Sequence, residues 1–195
     1  MVLFSDLAYW QNPIVQVVSV THPILPVQIQ ALKFRPMKLE DIPQVHEIDV
    51  LSFALPWPEK SYLFELTENP TTLALVAESI QSDSEAVVIG MAVVWIIIDE
   101  AHIATIAIHP DFRGYGFGKK LLAETLRQSI QRGALDATLE VRENNLLAQQ
   151  MYTKFGFTIV GRRLHYYHDN NEDAVLMTLD KMGSQYLAWL NEARL

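Results

Sequence analysis

The stretch Ile106-Ala107-Ile108-His109-Pro110-Asp111-Phe112-Arg113-Gly114-Tyr115-Gly116-Phe117-Gly118-Lys119 constrains the fold more than any other. It joins an apolar strand, a turn with three alternating glycines, and the start of a helix. From Gly116 to Arg132, the residues Phe117, Leu121, Leu122, Leu126 and Ile130 recur at helical spacing, which predicts an amphipathic helix. Glycines let backbone N–H groups approach an anion closely, and the helix N-terminus adds partial positive charge. The turn therefore suits a pyrophosphate, although an ordinary strand-to-helix connection would satisfy the same pattern. A P-loop is excluded, because Gly118-Lys119 is followed by Lys120 and no hydroxyl is in place for magnesium. The glycine spacing also fails the dinucleotide-binding fingerprint.

The rest of the body alternates strand and helix signals. A first strand is expected over Gln28–Arg35, then a helix capped by Asp41 with Ile42, Val45, Ile48 and Leu51 on one side. Pro56-Trp57-Pro58 breaks it, and Glu59–Thr67 forms a second short helix. Strands follow at Thr72–Glu78, Ala86–Ile98 and His102–His109, and, beyond the glycine turn and its helix, at Ala137–Val141, Thr158–Gly161 and Ala174–Leu179. Asn145–Phe155 reads as a helix between the fourth and fifth of these, and Ser184–Ala193 as a last one. The expectation is one α+β domain with a mixed, mostly antiparallel sheet flanked by helices: an arm at 1–30, a body at 31–180 and a C-terminal helix at 181–195.

Composition narrows the function. At 195 residues the chain has room for one domain and a sizeable core. It has no cysteine, which excludes disulfides, zinc–thiolate sites and a Cys nucleophile. The net charge of −8 argues against a general nucleic-acid binder. The longest apolar run, Ala86 to Ile98, falls short of the ~20 residues a membrane-spanning helix needs. The six histidines show no metal-ligand spacing, so no metal is expected. Residues 1–30 carry Asp6 as their one charged side chain with His22 neutral, and no basic residue precedes the apolar stretch, unlike a signal peptide. A cytoplasmic location is the default expectation. The arm either packs on its own body or is exchanged between the subunits of a homodimer.

Four blocks in order carry a resemblance. They are Pro56-Trp57-Pro58-Glu59-Lys60; Arg113-Gly114-Tyr115-Gly116-Phe117-Gly118; Leu139-Glu140-Val141-Arg142-Glu143-Asn144-Asn145 with Met151-Tyr152-Thr153-Lys154-Phe155-Gly156-Phe157; and Gly161-Arg162-Arg163 with Tyr166-Tyr167 and Glu172-Asp173-Ala174. Over about residues 31–180 the chain resembles the GNAT acetyltransferases, and among them the bacterial ribosomal-protein-alanine type. The resemblance implies the GNAT fold, acetyl-CoA as co-substrate, and acetyl transfer to the N-terminal α-amine of a protein, such as a ribosomal protein. It implies direct attack in a ternary complex.

It also implies roles. Ile106, Ala107, Ile108, Arg113, Gly114, Tyr115, Gly116, Phe117, Gly118, Lys119 and Asn145 would hold the coenzyme. Glu140 would be the general base and Tyr152 the general acid, while Pro56, Trp57, Tyr166 and Tyr167 would line the acceptor groove. On residue type alone, Glu140 is a strand-end carboxylate and Tyr152 an aromatic facing the core. Tyr115 departs from the family, where Arg or Gln is frequent. Two alternatives stay open: acetylation of a small amine or lysine side chain, and a non-catalytic acyl-CoA sensor.

Overall fold

The computed structural model describes residues 31–80 and 86–192. The arm at 1–30, its suggested exchange between subunits and the first three residues of the expected first strand lie outside the described residues. Seven strands form one sheet: β1 (Ala31–Pro36), β2 (Thr72–Ile80), β3 (Val87–Ile97), β4 (Glu100–Ile108), β5 (Asp136–Arg142), β6 (Thr158–Tyr167) and β7 (Glu172–Leu179). Their spatial order is β1-β2-β3-β4-β5-β7-β6. All neighbours are antiparallel except β4 and β5. A parallel pair needs a crossover, and α3 (Phe117–Gln131) supplies it.

The period-two alternation of the strands sorts side chains onto two faces. On one face α1 (Ile42–Ser52) and α2 (Glu59–Thr67) pack Val45, Ile48 and Tyr62 against Val76, Met91 and Val93. On the other, α3, α4 (Leu146–Lys154) and α5 (Ser184–Glu192) bury Leu122, Leu126, Tyr152, Phe155 and Leu190 against Ala137, Leu139, Val175 and Met177. The C-terminal helix is thus part of the core, tied down by the Tyr186 hydroxyl, which donates to the Phe155 carbonyl at 2.7 Å.

Two differences from the sequence reading have clear causes. β6 runs to Tyr167 rather than ending at Gly161. It is an edge strand exposed along nearly all its length, so no alternation of burial marks it, and pairing to β7 is what extends it. β7 itself starts two residues earlier than expected, at Glu172.

The feature that positions the site is a gap in the sheet. β4 and β5 pair only between Glu100–Ile103 and Asp136–Leu139. Beyond that, β4 continues to Ile108 against β3 alone and β5 to Arg142 against β7 alone. The cause is local: Val93 faces Thr105 and Val94 faces Ile103, so Ala104 is an extra residue in β4. Such a bulge bends a strand and increases its twist. The two strands part where it sits.

Candidate active site

The glycine turn has the backbone geometry that an anion cradle needs. Gly114 and Gly116 have φ of +88° and +82°, the left-handed region that side chains with a Cβ avoid. A Cβ added at either would meet nothing within 4 Å, so the space above both is open. The backbone N–H groups from Gly114 to Gly118 donate to no acceptor among the described residues. They lie at the start of α3, whose dipole favours negative charge there. Tyr115 is exposed and stacks on Phe117 at 5.9 Å. Lys119 is exposed on the first turn of α3.

Arg113 serves this cradle as a brace. Its Nε donates to the Ile108 carbonyl at 2.9 Å and its Nη2 to the Ser52 hydroxyl at 2.8 Å, joining the turn to the ends of β4 and α1. The first of these bonds also reports the direction of the strand. His109 N–H donates to Ile89 on β3 at 2.9 Å, so by alternation Ile106 and Ile108 turn their backbone groups toward the gap. The Ile106 and Ala107 side chains meanwhile pack on opposite faces of the sheet. A strand edge with free amide groups, ending in an anion cradle, fits a pantetheine arm and its pyrophosphate. Asn145 stands across the gap as the N-cap of α4, its Oδ1 accepting from Ala148 N–H at 3.2 Å.

Glu140 lies beside the gap on the α1/α2 face, its side chain 7% exposed. Sequence reasoning missed the groups around it. His102 of β4 approaches with its Nε2 3.4 Å from Glu140 Oε2, and Arg163 of β6 with its Nη2 3.0 Å from Oε1. His102 stacks on Trp95 at 5.4 Å, and Trp95 stacks on Trp57 at 6.2 Å. The Trp95 indole N–H donates to Glu65 of α2 at 3.0 Å, which fixes the ring. An aromatic row therefore runs from the Pro56-Trp57-Pro58 loop to the carboxylate. The loop is anchored by Asp49, whose buried carboxylate accepts the Trp57 N–H at 2.5 Å; burial raises the Asp49 pKa. Pro56 is exposed at its rim. No local signal in the sequence links Trp95, His102 and Arg163, which lie on three different strands.

Tyr152 is buried on α4, on the opposite side of the sheet, packed 5.7 Å from Phe157. Its hydroxyl makes no hydrogen bond among the described residues. Burial first, and the neighbouring Tyr167 phenol second, push its pKa well above the ordinary tyrosine value, so it stays protonated at neutral pH. Tyr167 is itself pushed up to about 12, by burial and by carboxylates including Glu140. The Arg142 guanidinium lies 3.9 Å over the Tyr167 ring and pairs with Asp169 on the β6–β7 connection and with Glu172 at the start of β7. Tyr166 is exposed and meets the Tyr167 ring edge-on at 5.2 Å. Tyr167 lies near both Tyr152 and Glu140, and Tyr166 lies 5.6 Å from the Arg163 guanidinium that pairs with Glu140. Among the described residues no group of His, Asp and Glu is arranged to hold a metal.

A seam opening between two parallel strands, a glycine turn with open backbone donors at the following helix and a nearly buried carboxylate beside the seam are the features an acyltransferase working from a coenzyme A thioester requires. Residues 42–157 match the acetyltransferase (GNAT) family, and the chain belongs to it. It is an acetyl-CoA-dependent N-acetyltransferase of the GNAT fold. Within the family it is 41% identical over 143 residues to a Bacillus subtilis protein provisionally named a ribosomal protein bS18-alanine N-acetyltransferase, covering 73% of this chain and 91% of that one. The Salmonella typhimurium enzyme of that name is 31% identical over 141 residues, covering 71% of this chain and 90% of its own. The crystal structure of the Escherichia coli ribosomal-protein-S18-alanine N-acetyltransferase superposes with a TM-score of 0.68 at 27% identity, covering 77% of this chain and 94% of that one.

Proposed function

We propose that this enzyme acetylates the N-terminal α-amine of a protein, with a ribosomal protein bearing an N-terminal alanine as the acceptor. One observation carries the reading: a nearly buried carboxylate, Glu140, opens onto the sheet gap from the face that also carries the Trp57 loop. The relatives named above support the acceptor class. A ribosomal acceptor would place the reaction in the cytoplasm.

Acetyl-CoA supplies the acetyl group as a thioester. The N–H groups of the 114–118 turn would bind its pyrophosphate, and the Ile106–Ile108 edge would align its amide-bearing arm. The acceptor amine would enter from the Trp57 side and meet Glu140, which takes its proton as nitrogen attacks the carbonyl carbon. The Ile106 N–H, aimed into the gap, is placed to donate to the oxygen that gains charge. As the C–S bond breaks, Tyr152 would give its proton to the departing sulfur. An α-amine, with an ordinary pKa of ~7.7–8.0, is a far easier substrate for a carboxylate base than a lysine amine at ~10.4.

The test is thiol release from acetyl-CoA with a short peptide that starts at Ala and contains an internal Lys, beside a twin whose α-amine is blocked. Turnover on the free peptide alone is expected. Turnover on both would move the acceptor to lysine, and silence on both with acetyl-CoA still bound would favour a sensor.

A further inference from the structure

Glu140 has a counter-ion of its own, Arg163. The register explains how an edge-strand arginine reaches it. Glu140 pairs with Leu176 of β7, and Leu176 with Gly161 of β6; one pleat on, Arg142, Ala174 and Arg163 form the next row on the same face. The middle residue of that row is the fully buried Ala174 and that of the first row is Leu176, so the guanidinium reaches the carboxylate on the diagonal, over the alanine and past the leucine. Arg162, its neighbour, is sent to the opposite face by the strand period and pairs with Glu143.

The two partners are unequal. The Glu140 side chain is 7% exposed and that of Arg163 is 54% exposed. A desolvated carboxylate needs a positive partner, whereas a half-exposed guanidinium, whose other contact is the exposed Tyr166 ring at 5.6 Å, can leave for water at small cost. Immediately after Arg163 the strand also loses its regular pairing: the register slips between Arg163 and Tyr167, and His165 has φ of +54°. Arg163 is thus attached at the last regular pair before an irregular segment. His102, which also faces Glu140 as the Tyr167 phenol does, is held between Trp95 and β5 and is less free to move.

We infer that Arg163 is an exchangeable counter-ion: in the resting enzyme it neutralises Glu140, and the incoming acceptor ammonium displaces it. This rests on the N-terminal acetylation reading and deepens it. The acceptor arrives as a cation and replaces one positive charge on Glu140 with another; one ammonium proton leaves to solvent before the nitrogen can attack, and the second passes to Glu140 as the C–N bond forms. The product amide is neutral, cannot hold that place, and the guanidinium returns. Arg163 therefore competes with the substrate and not with the product, and is a positioning residue rather than a catalytic one.

The test uses the full chain, the free-amine and blocked-amine peptides and acetyl-CoA, comparing the wild type with Arg163→Ala and Arg163→Lys. Removing the competitor should lower the acceptor KM roughly three- to fivefold, the upper end for a part-exposed ion pair. The inhibition constant of the N-acetylated product peptide should stay within about twofold, because that ligand makes no use of the charge. Arg163→Lys, which keeps a competing cation, should restore a KM near the wild-type value. A raised KM in Arg163→Ala would mean that Arg163 binds the acceptor, and would overturn the inference. A fall in kcat at constant KM would overturn it too, leaving Arg163 as an aiming group for Glu140, as would no change at all. Absence of wild-type turnover on either peptide would instead overturn the N-terminal reading and take this inference with it.

Discussion

Replacing Glu140 by Gln separates two jobs a base can do. The amide keeps the side-chain volume, and its oxygen can still accept from Arg163, so the fold should survive with little change in Tm. The glycine cradle does not involve Glu140, so acetyl-CoA affinity should be unaltered. At pH 7 an α-amine of ordinary pKa ~7.8 is neutral in roughly one molecule in seven. If Glu140 did no more than strip the ammonium before reaction, its loss would cost at most about sevenfold. If it accepts the proton during attack, the cost is ~10²–10⁴-fold in kcat, or about 3–5.5 kcal/mol. The structure favours the larger figure, because the carboxylate lies at the gap where the reacting atoms must meet. Between pH 7 and pH 9 the deficit should shrink by about sevenfold and no further, as the solution supplies neutral amine. The assay is steady-state thiol release across that range, with acetyl-CoA binding measured separately. A loss below tenfold at pH 7 that vanishes by pH 9 would refute proton transfer in the transition state.

Other outcomes follow from the packing. Arg35 donates to both carboxylate oxygens of Asp41, at 2.6 and 2.8 Å, and to Glu78, fastening β1 to the start of α1. Arg35→Met should cost about 2–4 kcal/mol in denaturant unfolding, by stranding a buried acid. Burial alone would raise the Asp41 pKa, but hydrogen bonds from Arg35 and from Lys38 N–H outweigh it and the net shift is downward. A lowered folded pKa stabilises above the ordinary carboxylate value and is lost as pH falls through the folded value, so the gap between wild type and variant should close under acid. Gly116→Ala should cost about 1–2 kcal/mol at φ +82° and weaken acetyl-CoA binding severalfold in calorimetry; unchanged binding would count against the cradle. Leu190→Ala in α5, at a site 2% exposed, should lower Tm by several degrees through about 2–3 kcal/mol of lost packing.

What could be read from the chain is what local chemistry controls. Three alternating glycines ahead of a helical apolar stripe mark a left-handed turn at a helix start, because φ preference and helix dipole are local properties. Asn145 at the N-cap of α4 is legible for the same reason, whereas α1 ends at Ser52 with Phe53 extended, before Pro56 is reached. β6 was only half visible, since an edge strand with both faces wet has no burial alternation, and its partner β7 defines it.

Tertiary structure alone decided the rest. The opening between β4 and β5 depends on a single extra residue, Ala104, whose effect exists only once β3 is paired beside it. The environment of Glu140 combines Trp95, His102 and Arg163 from β3, β4 and β6, which become neighbours only through the sheet order. The sequence by itself determined which groups could do the chemistry. Only the pairing of distant strands, which no local period encodes, decided that a buried carboxylate would meet an exposed arginine beside an open seam in the sheet.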